Sequence, residues 1–188
     1  EKRSLEHHLK NPQQQAMFSV VHGGVDPDLR KKSCHFANDL PFDGFAIGGS
    51  LGKTKQELFA LLDYTPPHLD PARPIHLLGI GDLESINYGV SSGIDTFDSS
   101  YPTRAARHGI VITAQGPLDL RKSINHANFG PLDPTCSCTT CQKYSRAFLH
   151  HLFKASELTA QCLASIHNIK QMVTIMANYR NKIAAGEI

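Results

Sequence analysis

Short apolar segments recur along the first hundred residues, and each ends in glycine or a polar residue. These segments cover residues 17–21, 42–47, 75–78 and 94–97, and helical patterns follow the first three near 28–39, 55–62 and 83–91. Strands that alternate with helices pair in parallel, because each helix carries the chain back to the starting edge of the sheet. The pattern predicts an α/β fold with a parallel sheet, with residues 110–113 as a possible further strand.

In parallel α/β folds, functional loops follow the carboxyl ends of the strands. The residues in these positions are His22, Gly48, Gly49, Gly79, Gly81 and Asp98. We expect their loops to share one face. A closed (β/α)8 TIM-type barrel needs about 250 residues, and only about 125 precede a cysteine cluster. We therefore expect residues 1–125 to form the C-terminal half of such a barrel, with the first half upstream, and residues 126–188 to form a separate subdomain.

The composition is that of an ordinary globular protein, with 40% hydrophobic and 19% charged residues. A formal net charge of +2 is too small to indicate a polyanionic partner, because phosphate binding on this scale needs local clusters of Lys and Arg. No segment has the apolar length of a secretory leader or a membrane span. We expect a cytoplasmic protein that makes no membrane contact.

Three of the five cysteines fall within six residues, at Cys136, Cys138 and Cys141. Such clustering in a chain without a secretory signal favours metal over disulfides. The two isolated cysteines, Cys34 and Cys162, are interpreted as small buried hydrophobic residues.

Three thiolates on one loop need a fourth ligand to complete a tetrahedral zinc site, and histidine is the natural choice. His150 and His151 would lie about 12 to 15 Å up a helix that begins near Gln142. If the chain reverses near Ser156, taken as a helix N-cap, the following helix returns about 16 Å and brings His167 level with the cysteines. Four protein ligands leave no open position, so we predict a structural zinc.

The second of these helices carries apolar residues at spacings of four, four, three, four and three. They are Leu158, Cys162, Ile166, Ile169, Val173 and Met176. This period predicts a buried stripe, with His167 beside it.

Taken together, these motifs resemble those of the tRNA-guanine transglycosylases, also called queuine tRNA-ribosyltransferases. CxCxxC followed by His after 25 intervening residues is similar to the zinc signature of that family. FDSSYPTRAARHG (97–109) resembles its nucleophile and RNA-contact segment, and FDGFAIGG (42–49) its substrate loop. HLLGIG (76–81) is similar to a second RNA-facing loop, and CQKYSRAFLHHLF (141–153) to the helix after the cysteines.

The resemblance implies a (β/α)8 barrel with a zinc subdomain, working as a homodimer. It implies exchange of guanine at the tRNA wobble position for a free 7-deazaguanine base, through a carboxylate that attacks the ribose. Asp98 matches the nucleophile, whereas without the motif it could equally be a helix N-cap. Gly49 matches the position whose amide contacts the base.

The RNA-contacting positions implied by the resemblance are Gly79, Gly81, Thr103, Arg104 and Arg107. Guanidinium groups suit phosphates and base edges. Two arginines three residues apart could also form an ordinary solvated helix face.

The sequence departs from the family pattern at three places in the expected base pocket. His22 replaces a usual Gln, Gly52 a branched residue of the bacterial pattern, and Thr54 an acid. Queuine-using members of the family also place glycine at the position of Gly52. The smaller side chain and the lost acid favour queuine over the 7-aminomethyl-7-deazaguanine precursor, which stays the alternative.

Two other functional classes stay open from the sequence. The general base of the family has no counterpart in these residues, so a noncatalytic zinc-containing partner or fragment that supports dimerisation or tRNA binding is the first alternative. A free-standing RNA-binding zinc module is the second, although it leaves the strand pattern of the first hundred residues unexplained.

Overall fold

The computed structural model describes all residues, Glu1–Ile188, and divides them into two compact units. Unit 1 is Glu1–Ser99 and unit 2 is Ser100–Ile188. The domain boundary expected from the sequence, between residues 125 and 126, stays a prediction.

Unit 1 is built on a four-stranded parallel sheet in the order β1-β2-β3-β4. Its strands are β1 (Phe18–Val21), β2 (Gly44–Ile47), β3 (Ile75–Leu77) and β4 (Thr96–Phe97). Helix α1 (Lys2–Leu9) precedes them, and α2 (Pro27–Asn38), α3 (Lys55–Tyr64) and α4 (Leu83–Ser91) connect them. A 3-10 turn, Pro66–His68, follows α3. The predicted α/β fold with a parallel sheet is confirmed.

Local sequence signals explain where the three connecting helices begin. The carboxylate of Asp26 accepts hydrogen bonds from the amides of residues 28 and 29, and proline opens α2. Thr54 and Glu57 form a reciprocal capping box at α3. Asp82 caps α4 through the amide of Ser85. Each of these polar side chains satisfies backbone donors that a helix start leaves without a partner.

Burial on both faces explains why the central strands are almost wholly apolar. Every residue of β2 is buried. The core of unit 1 joins strand and helix residues, chiefly Val21, Cys34, Phe45, Ile47, Leu58, Leu61, Leu62 and Leu77. Cys34 is therefore the buried small residue that was predicted.

Unit 2 places a helical cluster around a short hairpin. The hairpin pairs β5 (Ile110–Thr113) with β6 (Gly116–Asp119) in antiparallel register. Helix α5 (Tyr101–Arg107) precedes it, a 3-10 turn (Ser123–Asn125) follows it, and then come α6 (Thr139–Lys143), α7 (Arg146–Lys154) and α8 (Leu158–Ala184). Its core contains Ala106, Val111, Leu120, Leu132, Leu149 and Ala164. Residues 110–113 do form a strand, but this strand belongs to the hairpin and not to the parallel sheet.

The predicted buried stripe of α8 is wrong. Four of its members are 45 to 72% exposed, namely Leu158, Ile166, Ile169 and Val173, and Cys162 is exposed as well. The face that packs inward carries Ala160, Ala164, His167 and Asn168. Two alanines allow close approach of the helix, and the two polar side chains find backbone partners, so an apolar period did not identify the buried side.

The two helices predicted after the cysteines also begin at other residues than expected. A break at Tyr144 separates α6 from α7, so the longer helix begins at Arg146 with Ser145 as its cap instead of near Gln142. The chain does reverse at Ser156, which adopts a left-handed conformation with φ of 57°, and Glu157 occupies the N-cap of α8. No helix is both long enough and apolar enough to cross a membrane.

Candidate active-site edge and metal centre

The carboxyl ends of the four parallel strands bring the predicted functional loops of unit 1 to one edge of the sheet. His22 follows β1, and Gly48 and Gly49 follow β2. Gly79 and Gly81 follow β3, and Asp98 follows β4. Because neighbouring strands pair in register along the whole sheet, the expectation that these loops share a face is confirmed.

Asp98 is held at this edge by one of its two carboxylate oxygens. The Oδ1 atom accepts a hydrogen bond from the amide of Gly79 at 2.9 Å and lies 3.1 Å from Nε2 of His76. The Gly79 amide is the main reason that the pKa of Asp98 lies below its usual range, and the His76 contact acts in the same direction. The side chain is 62% exposed. Asp98 is therefore an ionised, accessible carboxylate at neutral pH.

Gly79 can aim its amide at this carboxylate because of its backbone conformation. Its φ of 73° lies in the left-handed region, which side chains other than glycine rarely adopt. The turn after β3 thereby directs an N–H group toward the end of β4. On the neighbouring strands, a Cβ atom on Gly49 would lie only 3.2 Å from Nδ1 of His22, so the imidazole packs closely against the glycine loop.

A buried arginine, which sequence reasoning missed, fixes the loops after β1 and β2. Arg30 on α2 is fully buried, and its guanidinium donates to the carbonyl oxygens of Val21, Gly24, Gly48 and Ser50 at 2.7 to 3.0 Å. Burial lowers the pKa of Arg30. The group nevertheless stays charged, because the ordinary pKa of arginine is very high. Five fixed donors suit the task of holding several carbonyls, and the Gly48–Gly49 turn is positioned in this way.

Gly52 and Thr54 both have structural roles in addition to the proposed pocket role. Gly52 has a φ of 96°, and a Cβ atom there would lie 2.5 Å from Cβ of Glu57. Thr54 caps α3, and the Glu57 carboxylate accepts hydrogen bonds from the amides of Lys53 and Thr54. A bulky replacement of Gly52 would therefore disturb the start of α3.

The predicted RNA-contacting residues of unit 2 lie on the short helix α5. Arg104 and Arg107 are exposed, one helical turn apart, and neither forms an ion pair. The hydroxyl of Thr103 donates to the carbonyl oxygen of Ser100. Two free guanidinium groups on one helix face are available for phosphate contacts.

The metal site lies wholly in unit 2 and consists of Cys136, Cys138, Cys141 and His167, whose ligand atoms all lie within 4.8 Å of one another. Nδ1 of His167 is 3.2 Å from Sγ of Cys141 and 3.6 Å from Sγ of Cys138. Zinc bonds of about 2.3 Å to sulfur and 2.0 to 2.1 Å to nitrogen give ligand separations of roughly 3.5 to 3.8 Å in a tetrahedron. The four residues fit a structural zinc, as predicted.

Hydrogen bonds behind the ligands fix the orientation of His167. Its Nε2 atom lies 2.7 Å from the carbonyl oxygen of Ile112, which assigns the proton to Nε2 and leaves Nδ1 as the metal ligand. The neighbouring Asn168 accepts from the Ile112 amide and donates to the carbonyls of Pro102 and Ile110. Helix α8 is thereby registered on β5, and the histidine cannot rotate away from the cysteines.

Asp133 anchors the loop that carries the cysteines. Its carboxylate accepts hydrogen bonds from the amides of Ala114 and Thr135 and from the side chains of Thr135 and Gln171. This cluster ties the start of the cysteine loop to the hairpin and to α8. His150, the histidine nearest in sequence, instead contacts the carbonyl oxygen of Leu120 at 2.7 Å and is not among the ligands.

Protonation and metal binding are coupled at this site. Burial raises the pKa of the Cys141 thiol to about 12, and it also raises the pKa of Cys136. Burial lowers the pKa of His167, which keeps the imidazole neutral and able to bind metal. Without a metal the Cys136 and Cys141 thiols would carry protons at neutral pH. A cation stabilises the thiolates, so metal binding releases protons and weakens in acid.

Unit 1 carries an exposed carboxylate at the carboxyl edge of a parallel sheet, and unit 2 carries a four-ligand site that fits zinc. The sequence model of the family described as queuine tRNA-ribosyltransferase matches residues 1–188. The chain belongs to this family.

Several relatives from chlamydial bacteria carry the same name. The queuine tRNA-ribosyltransferase of Protochlamydia amoebophila is 61% identical over 183 residues, which cover 97% of this chain and 47% of the relative. Those of Chlamydia caviae and Chlamydia trachomatis serovar D are 52% and 53% identical over 189 residues, covering 100% of this chain and 51% of each relative. The chain spans about half the length of the curated relatives it matches.

We expect His167→Ala to lose the metal, because the three thiolates then lack their fourth ligand and the Ile112 carbonyl loses its donor. His151→Ala, an exposed histidine on α7, is the control. Metal content per chain, measured by inductively coupled plasma mass spectrometry, should be one zinc in the wild type and in the control and well below one in His167→Ala. Full zinc occupancy in His167→Ala would contradict the ligand assignment.

Proposed function

We propose that these residues belong to a tRNA base-exchange transferase that replaces the wobble guanine of tRNA with a free 7-deazaguanine base. The observation that carries the proposal is Asp98, an ionised and exposed carboxylate at the carboxyl edge of the parallel sheet. Membership of the queuine tRNA-ribosyltransferase family supports the same reaction. Because tRNA is the proposed substrate, the proposal also places the protein in the cytoplasm.

In the proposed reaction Asp98 forms a covalent bond to the ribose. Its Oδ2 atom bonds to the anomeric carbon C1′ while the bond from C1′ to N9 of guanine breaks. The electron pair leaves with guanine, which takes a proton from water. The incoming base then attacks C1′ through N9, loses its N9 proton to water, and the electron pair of the ester bond returns to the carboxylate. A carboxylate suits an oxocarbenium-like centre of this kind.

The remaining predicted residues divide the recognition between base and RNA. His22, Gly48, Gly49 and Gly52 line the base pocket in this proposal, with the Gly49 amide against the base. Gly79, Gly81, Thr103, Arg104 and Arg107 contact the tRNA. The zinc at the four-ligand site would stabilise the fold of unit 2 and take no part in the chemistry.

The proposal includes the architecture expected from the sequence. Residues 1–125 would form the second half of a (β/α)8 barrel, and 126–188 its zinc-binding subdomain, in a homodimer. The order of parallel strands with functional loops at their carboxyl ends supports the barrel.

We expect Asp98→Asn in the complete gene product to abolish both base exchange and the covalent complex with tRNA. The neutral amide is a far poorer nucleophile but has nearly the same shape. Asp95→Asn is the control, because that residue lies at the opposite end of β4 and accepts from the Ile75 amide. The complex is detected as a protein–RNA band that survives a denaturing gel. Normal exchange by Asp98→Asn would contradict the nucleophile, and tRNA binding without exchange by the wild type would favour the noncatalytic partner.

The base that is inserted can be tested at Thr54, where aspartate is also a good N-cap. We propose queuine as the preferred base because the chain lacks an acid at this position. Thr54→Asp should keep α3 capped and raise kcat/KM for the 7-aminomethyl precursor by about 10- to 150-fold, the value of a charge-assisted hydrogen bond. Thr54→Asn is the uncharged control. Competition kinetics with both bases give the ratio, and a wild type that prefers the precursor would contradict queuine.

A further inference from the structure

A histidine on β3 contacts the proposed nucleophile, although the HLLGIG motif that it opens was interpreted only as an RNA-facing loop. Nε2 of His76 lies 3.1 Å from Oδ1 of Asp98, and Nδ1 lies 2.8 Å from the hydroxyl oxygen of Thr96. We propose that His76 is a positioning residue, held in one tautomer by Thr96, that fixes Oδ1 of Asp98 so that Oδ2 is presented to the ribose. This inference rests on the proposed function.

The direction of each hydrogen bond follows from the chemistry of the groups. An ionised carboxylate can only accept, so Nε2 of His76 must carry the proton that it shares with Asp98. In a neutral imidazole the other nitrogen, Nδ1, is then an acceptor, and the Thr96 hydroxyl donates a hydrogen bond to it. One tautomer of the ring therefore satisfies both hydrogen bonds, the one from Thr96 and the one to Asp98.

The sheet itself brings the three side chains together. His76 and Thr96 are direct partners in the parallel register of β3 and β4. Asp98 lies two residues beyond Thr96, and side chains two residues apart on an extended chain point to the same side. The His76 side chain is 21% exposed, whereas that of Asp98 is 62% exposed. The histidine is thus mostly shielded, and the carboxylate that it holds stays accessible to a large substrate.

Two donors converge on the same oxygen of Asp98. The Gly79 amide and the His76 ring both contact Oδ1, and Oδ2 accepts neither of these hydrogen bonds. Two directed contacts on one oxygen fix the plane of the carboxylate, so the other oxygen points in a defined direction. Both contacts also keep the carboxylate ionised, which is the form that attacks C1′.

The test compares His76→Phe, which keeps a ring but removes the donor, with His76→Gln, whose amide nitrogen can occupy the position of Nε2. His35→Phe, an exposed histidine on α2, is the control. The readouts are the single-turnover rate of covalent-complex formation by the complete gene product and the KM for tRNA. We expect His76→Phe to lower the rate by about 10- to 150-fold with KM changed less than about threefold, and His76→Gln to recover most of the loss.

Three outcomes would overturn the inference. His76→Phe could react at the wild-type rate, its defect could lie in KM alone, or His76→Gln could be as slow as His76→Phe. Nitrogen NMR of the labelled wild-type protein adds a test that needs no turnover. It should show that the neutral imidazole of His76 carries its proton on Nε2 and not on Nδ1, and the opposite tautomer would also overturn the inference.

Asp98→Asn is measured beside these variants so that the two proposals can fail separately. If Asp98→Asn still forms the covalent complex, the proposed function fails. If Asp98→Asn abolishes the complex while His76→Phe forms it at the wild-type rate, only the positioning role of His76 fails.

Discussion

Parallel pairing of β1 to β4 is the constraint on which the candidate active-site edge depends, because it carries four loops to the same end of one sheet. The strands are short, and β4 has only two residues, so pairing alone leaves the loops weakly fixed. Arg30 supplies part of what is missing by holding the carbonyls after β1 and β2. The Gly79 amide and the His76 ring do the same for Asp98 after β4. Backbone register and a few buried or shielded donors therefore define the edge together.

In unit 2 a helix fixes the position of the histidine ligand. Adjacent polar residues on α8, His167 and Asn168, both bond to the backbone of β5, and this contact sets the register of the helix. The same register turns Nδ1 of His167 toward the cysteines. Metal binding and helix docking are consequently coupled, because removal of the imidazole affects both. A zinc ion at this position would join the cysteine loop to α8 as a cross-link.

Local signals explain what the sequence could predict. The strand–loop–helix pattern identified the four parallel strands. The cysteine spacing identified the metal loop, and the rise per residue of two antiparallel helices identified His167. Arg30 and His76 were missed because their roles depend on register between segments far apart in the chain, which no local pattern contains. The α8 stripe was wrong for a related reason. Burial there follows from Ala160, Ala164 and satisfied polar groups, whereas Ile166, Ile169 and Val173 face outward.

Peptide mapping tests most directly the proposed bond between Asp98 and ribose during base exchange. The complete gene product is incubated with tRNA in the absence of an incoming base, the covalent complex is trapped by denaturation, and nuclease and protease digests are analysed by tandem mass spectrometry. The account predicts a ribose-containing adduct on the Asp98 carboxylate. An adduct on another residue, or base exchange that proceeds with Asp98 unmodified under trapping conditions, would contradict it.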